Sequence, residues 1–220
     1  FGIQTEVGDP RSKSFDIQPQ VCFMDLFMQK LEDNPQQEWI TVCPHEVKEK
    51  LGIVLPNMYN EDFVEAYSEI EKAVEGGVLK VFTKYKVIDL WRKYLQVFFE
   101  KGRPYAGFMC KVNRDNPNKH DGFIYCLNLC VESFSNTKPD VYHHTCSLAS
   151  LVVGRIAVNE LSNKASSLTR LLNNGMMITK APVVESENHL RDYRTIGVGI
   201  QGLADILARE WKSYEDLDFI

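Results

Sequence analysis

The sequence has no long apolar run. A bilayer-spanning helix needs roughly 20 consecutive, mostly apolar residues, and no stretch of the 220 residues approaches that. Nor is there a basic-then-apolar opening of the kind that directs secretion. The chain begins "FGIQTEVGDP", without an initiator methionine, which reads as a processed start, a truncation or one piece of something longer. Cysteine is sparse: six residues, at 22, 43, 110, 126, 130 and 146. That is too few and too scattered for a secreted disulfide framework, so a cytoplasmic, mostly reduced protein with no membrane association is expected. Basic charge is not in excess either. The net charge of −5 argues against a broad phosphate-binding face and against nucleic acid as a partner, while leaving room for a local nucleotide pocket. No internal repeat, low-complexity tract or interdomain linker breaks the chain. Residues 1–220 therefore read as a single domain, with residues 1–20 a polar loop region.

What is present is ordinary for a globular chain: 44% apolar, 25% charged and 11% aromatic residues. A chain of this size can bury a solid core. The pattern predicts a helix from Val21 to about Leu31, ended by "NPQQ", then a strand in "EWITVC" stopped by Pro44. "HEVKEKLGI" reads as a short helix closing at Gly52. "NEDFVEAYSEIEKAVEGG" is an amphipathic helix with Asn60 as a plausible cap, acids in its first turn and Gly76–Gly77 as its stop. A further helix over "KVIDLWRKYLQVFFEKG" carries Val87, Leu90, Trp91, Leu95 and Phe98 on one stripe, and the run Trp91, Leu95, Phe98 and Phe99 reads as core. "RPYAGFMC" ends as a strand, "KVNRDNPNKHDG" is a polar loop, and "FIYCLNLCVESF" is extended. "TCSLASLVVGRIAVNELSNKASSLTRLLNNG" suggests two helical pieces, and "IGVGIQGLAD" a glycine-rich turn into a helix. Alternating helices and short strands give an α/β fold class.

The stretch "YCLNLCVESF" poses the chemical question. In an extended chain, side chains alternate between faces, so Asn128, Cys130 and Glu132 would share one face, with Leu129 and Val131 turned to an apolar interior. The plain reading of a lone cysteine is a small buried hydrophobe. A Glu on the same face weakens that reading, because an unpaired carboxylate is costly to bury. A carboxylate beside a thiol also disfavours a thiolate by like-charge repulsion, so ordinary nucleophilic catalysis is poorly served. A thiol kept protonated beside a base suits hydrogen-atom transfer through the S–H bond, with the carboxylate as general base and the amide holding a substrate hydroxyl.

Other motifs are weaker. Cys146, in "YHHTCSLAS", reads as a core cysteine at the start of a helix or as a thiol–disulfide partner. Cys126, Cys130, His143, His144 and Cys146 together suggest zinc, but their spacing is not that of a standard finger. Gly197, Gly199 and Gly202 form a G-x-G-x-x-G that lacks the following βαβ context of a dinucleotide loop and reads as close strand–helix packing. Arg11 and Lys13, in "GDPRSKS", offer a phosphate contact or a solvated loop. Cys22, Cys43, Cys110 and Cys126 default to core.

At this point the sequence resembles the large, catalytic subunit of aerobic, class I ribonucleotide reductase. "LNLCVES" at 127–133, "TCSLASL" at 145–151 and "YRTIGVGIQGLAD" at 193–205 carry the resemblance. "CFMDLFMQKLE" supports it, with Met24 where the family's "PDLFM" has proline, as does "FFEKGRPYAGFMCKVN". The order of the blocks matches too, from about Val21 onward. The resemblance implies a ten-stranded α/β barrel with the active cysteine on a central loop. It implies that Cys130 is the thiyl-radical residue that abstracts the ribose 3′ hydrogen. It makes Glu132 the base for the 3′ hydroxyl, and Asn128 the amide that orients substrate and carboxylate. It makes Cys146 one of two cysteines whose disulfide supplies the reducing electrons. Arg11 is its candidate for the arginine of an effector-linked specificity loop.

The implied substrate is a ribonucleoside diphosphate. The implied partners are a radical-generating, metal-containing small subunit and a thioredoxin- or glutaredoxin-type reductant. No cofactor is expected to bind this chain directly and no metal site is assigned to it, while nucleotide effectors are compatible with it. The family's subunit is several times longer. The partner of the redox cysteine, the ATP-binding cone, a phosphate-binding stretch, the radical-relay tyrosines and the C-terminal shuttle cysteines have no counterpart here. The expectation is therefore a partial catalytic barrel needing a complementing chain or self-association. Its rivals are a non-catalytic, reductase-derived scaffold and a zinc-binding α/β module.

Overall fold

The computed structural model describes residues 19–216; Arg11 lies outside them. It falls into two compact units, the residues up to Thr137 and those from Lys138 on.

In the first unit, β1 (Gln20–Phe23) pairs in parallel with β4 (Tyr105–Phe108), Cys22 opposite Gly107 and Phe23 opposite Phe108. The helix expected from Val21 is thus a strand followed by α1 (Asp25–Asp33). The β-favouring residues Val21 and Phe23 find a partner strand, and pairing outweighs helical spacing. β2 (Glu38–Val42) pairs antiparallel with β3 (Phe82–Lys86). Between them lie α2 (Pro44–Leu51) and α3 (Asn60–Glu75). Pro44 occupies the first turn of α2, where its missing N–H costs nothing. Gly52, at φ 71°, ends the helix and donates its N–H to the Lys48 carbonyl at 2.9 Å. Glu46 accepts hydrogen bonds from Lys50 Nζ and from the backbone N–H groups of Lys80 and Val81. These hold its carboxyl down at about 2.

Asn60 does not cap α3. Tyr59 holds that position, no side chain caps the helix, and Asn60 Oδ1 instead accepts from Arg114 at 3.3 Å. The buried face of α3, Phe63, Ala66, Tyr67, Ile70, Ala73 and Val74, has the expected spacing. It packs on Ile40, Val47, Ile53 and Leu79. A second cluster joins Phe23, Phe27, Val87 and Tyr94. Trp39 touches both, stacked on Tyr67 with ring centroids 4.4 Å apart and edge-on to Phe27 at 5.1 Å. The Tyr67 hydroxyl accepts the Ile40 N–H at 2.6 Å and donates to the Ile40 carbonyl at 3.2 Å, and burial pushes its phenol up.

α4 (Val87–Lys101) buries Val87 and Tyr94. The expected core run Leu95, Phe98 and Phe99 is exposed, Phe99 at 91%: the buried face ends at Tyr94. α5 (Met109–Arg114) begins where the sequence suggested only strand and loop. Cys110 is a core cysteine, its sulfur accepting the N–H groups of Asp25 and Asn60, both at 3.4 Å, near the starts of α1 and α3.

In the second unit, β5 (Ser147–Val152) and β6 (Ile196–Gln201) pair in parallel over their whole length. α6 (Leu161–Ile178) and α7 (Val184–Asp192) lie between them in sequence, and α8 (Leu203–Arg209) follows. The first of the two expected helical pieces is therefore a strand, with the alternating exposure of period two. Gly197 and Gly199 sit inside β6, not after it. A Cβ on Gly199 would lie 2.9 Å from Ser150 Oγ, and one on Gly197 would run into the Leu148 side chain. They serve close approach of strand to strand. Gly202, at φ 81°, makes the turn into α8. Among the described residues the strands form three two-stranded sheets. The architecture is α/β with partial sheets and no closed barrel.

Candidate functional site

The segment with Asn128, Cys130 and Glu132 is not the strand the alternation suggested. Among residues 123–136 no strand forms. Instead the segment is a loop whose ends are pinned. The Thr137 N–H donates to the Phe123 carbonyl at 3.1 Å. Near the first end, the buried Asn113 of α5 acts as a substitute strand. Its Oδ1 accepts the Ile124 N–H at 2.8 Å and its Nδ2 donates to the Ile124 carbonyl at 3.1 Å. At the other end, Asn116 Nδ2 donates to Asn136 Oδ1 at 2.6 Å, and Asn136 Nδ2 donates to the Asn118 carbonyl at 2.7 Å. Phe123 meets Tyr59 edge-on at 5.3 Å. Leu127 donates its N–H to Gln20 Oε1 at 3.4 Å.

The tip is a tight turn. The Val131 N–H donates to the Asn128 carbonyl at 3.0 Å, and Val131 takes φ 64°, uncommon for a β-branched residue. Asn128 Oδ1 accepts the N–H groups of Glu132 at 3.1 Å and Ser133 at 2.9 Å. Asn128, half-buried, therefore organises the turn, and Cys130 and Glu132 are exposed on it. Leu129, expected inside, is 58% exposed. The three residue types share one turn, not one strand face. A thiol and a carboxylate presented to solvent on a turn braced by an amide can meet a substrate from outside the loop.

Cys146 belongs to the second unit. It stands directly before β5, whose first residue Ser147 donates its N–H to the Thr195 carbonyl. Its neighbour Thr145 is held by His189, which the sequence reading missed. The Thr145 N–H donates to His189 Nδ1 at 3.3 Å, and the Thr145 hydroxyl lies 3.0 Å from the same nitrogen. Nδ1 is thus an acceptor, which places the ring proton on Nε2. The ring is buried, stacked on Tyr193 at 4.9 Å and edge-on to His144 at 5.1 Å. Burial first, and the neighbouring His144 second, hold its pKa down at about 4, so it is neutral near pH 7.

Gln20, Asn113, Asn116, Asn136 and His189 carry no motif. Asn113 and Asn116 look like solvated loop in "KVNRDNPNKHDG", and Asn136 falls in the next loop; only their side-chain contacts show them to be structural. Cys22 and Cys126 are exposed, not core. Among the described residues no group of three or more His, Cys, Asp or Glu side chains is placed to hold a metal ion, and no helix is long and apolar enough to cross a membrane.

An α/β chain that presents a cysteine and a glutamate together on a braced turn offers a candidate site with a thiol and a carboxylate side by side. Comparison with known proteins gives the family. The model of the ribonucleotide reductase barrel domain matches residues 3–218. Over 98% of the chain, it is 37% identical to the ribonucleoside-diphosphate reductase subunit alpha of Synechocystis sp.. It is 32% identical over 99% of its length to the subunit alpha of Treponema pallidum. It is 30% identical over 92% to the ribonucleoside-diphosphate reductase large subunit of Caenorhabditis elegans. The chain belongs to the ribonucleotide reductase family, through its barrel domain. It spans 28%, 28% and 25% of those three relatives.

Proposed function

We propose that this chain is a catalytic barrel portion, one domain in the assembled protein, of a ribonucleoside-diphosphate reductase large subunit. In this reading it converts ribonucleotides to deoxyribonucleotides in the cytoplasm. The observation that carries the reading is the turn at Asn128–Val131, which presents Cys130 and Glu132 together and ties Glu132 to Asn128 through its backbone N–H. As a thiyl radical, Cys130 takes the ribose 3′ hydrogen atom. Glu132 accepts the 3′ hydroxyl proton, and Asn128, whose Oδ1 is occupied within the turn, has Nδ2 to offer a substrate hydroxyl. Cys146 supplies reducing electrons with a second thiol, and a thioredoxin- or glutaredoxin-type reductant restores them. The radical comes from a metal-containing small subunit. Arg11 is the candidate contact for a nucleotide effector.

A complementing chain segment is part of the proposal. Among the described residues each two-stranded sheet leaves backbone edges unpaired, and Phe99, Val158 and Ile178 are largely exposed. Both features support further barrel segments packing here. The test is Cys130→Ala in the assembled enzyme with its small subunit and reductant. Turnover should vanish while the circular dichroism spectrum and melting stay unchanged. Full turnover in that variant refutes the assignment.

A further inference from the structure

A second pair of cysteines lies beside the Cys130 loop. Cys22 sits within β1 and Cys126 precedes the turn, and both are exposed. The course of the segment bearing Cys126 is fixed at two points. Ile124 is held by Asn113 of α5, which starts directly after β4 ends at Phe108. β4 is parallel to β1, so Ile124 lies toward the end at which β1 finishes. Leu127 is held by Gln20, the first residue of β1. Residues 124–127 therefore run back alongside β1. The Gln20 side chain leans forward over β4, because a Cβ on Gly107 would lie 3.1 Å from its Nε2, and Gly107 is the register partner of Cys22. Gln20 and Cys22 share one face of the strand. The amide that receives Leu127 is thus at the level of Cys22, and Cys126 is the residue next to Leu127.

We propose that Cys22 and Cys126 form a redox-active dithiol, which closes to a disulfide and clamps the Cys130 loop to β1. The oxidant is a peroxide. The Cys126 thiolate attacks one peroxide oxygen, the O–O bond breaks, and a sulfenic acid and a water result. The Cys22 sulfur then attacks the sulfenic sulfur and expels the second water. Together the two thiols give up two protons and two electrons, and the peroxide is reduced to two waters. Although the Cys22 side chain reaches solvent, desolvation by the protein atoms crowded around it, and then the nearby charge of Cys126, push its thiol up. A raised thiol gives Cys22 the slower, resolving part. A dithiol reductant reverses the closure. The inference does not depend on the turnover chemistry proposed for Cys130.

The test uses the purified chain treated with hydrogen peroxide, alkylated, digested without reduction and mapped by mass spectrometry. A Cys22–Cys126 linked peptide is expected from the monomer fraction, absent after dithiothreitol and slower to form in denaturant. Cys22→Ser should convert the linked peptide into a Cys126 sulfenic acid trapped by dimedone. The wild-type map comes first, so a variant that misfolds leaves the test intact. Absence of the link while Cys126 is overoxidised or paired with another cysteine overturns the proposal. So does a link that forms as fast in denaturant as in the folded chain.

Discussion

Replacing Asn113 by alanine should destabilise the first unit and loosen the Cys130 loop together. Asn113 is buried, and it serves both backbone groups of Ile124, itself only 1% exposed. Alanine leaves that N–H and that carbonyl buried without partners. Each such group costs about 1–3 kcal/mol, and partial water access to a surface loop trims the sum, so a loss of about 2–4 kcal/mol is expected. Asn113→Asp separates the two bonds. A carboxylate still accepts from the Ile124 N–H but cannot donate to its carbonyl, so the loss at neutral pH should persist and ease on acidification, when a protonated acid can donate. Urea unfolding followed by tryptophan fluorescence reads the first unit. Trp39 and Trp91 pack on its core, whereas Trp211 is 94% exposed and changes little on unfolding. Hydrogen exchange at the Ile124 amide should speed up, and Cys130 should alkylate faster. A loss below about 0.5 kcal/mol with an unchanged denaturant slope would show that Asn113 does not hold the loop, and the account of the site would fail with it.

Two further outcomes concern the second unit. His189 has a folded pKa of about 4 against an ordinary value of 6.5. Between those pH values the unfolded chain binds a proton that the folded chain refuses. Stability is therefore full above about pH 6.5 and falls as pH drops toward 4, by on the order of 2–3 kcal/mol. Urea unfolding read by hydrogen exchange in β5 and β6 should show this slope in the wild type and lose it in His189→Gln, and an equal slope in both would refute the buried neutral imidazole. Gly202→Ala should cost about 1–2 kcal/mol, because φ 81° is strained for any side chain, while its Cβ would make only ordinary van der Waals contacts, with Asp205 at 3.5 Å, the Gly154 backbone N at 3.7 Å and Val152 at 3.8 Å. Gly197→Ala should cost less, since the Leu148 side chain it would strike is largely exposed and can swing away. The reverse order in melting temperature would show that the β5–β6 packing is rigid and the turn forgiving.

The long amphipathic helices were legible because their signals are local; the short α5 and α7 were not. α3 and α4 carry their spacing within one segment, and Gly76 and Gly102 mark their ends. Strands β1 and β5 were not legible. "VCF" and "SLASLV" are short, and what makes them strands is pairing with residues far along the chain. α4 also shows the limit of a stripe. Spacing names one face of a helix, but not the point along it at which the partner surface stops, and here that point is Tyr94.

The turn that carries Cys130 shows a different kind of partial legibility. The row "NLCVE" suggested an amide, a thiol and a carboxylate on one strand face; in the structure the three stand on one turn instead. An extended segment would place Asn128 and Glu132 on one face without linking them. The turn links them, because Asn128 Oδ1 accepts the Glu132 and Ser133 N–H groups. Those two bonds explain why an amide stands at that position. The side chain substitutes for the strand partner that a loop lacks, and Val131 can hold a positive φ only while the surrounding bonds impose it. A loop anchored by Asn113, Asn116 and Asn136 at its base and by Asn128 at its tip satisfies its backbone through amide side chains. It needs no apolar burial of Leu129 to stay ordered, which is why Cys130 and Glu132 can remain on the outside of the turn, where a substrate can reach them.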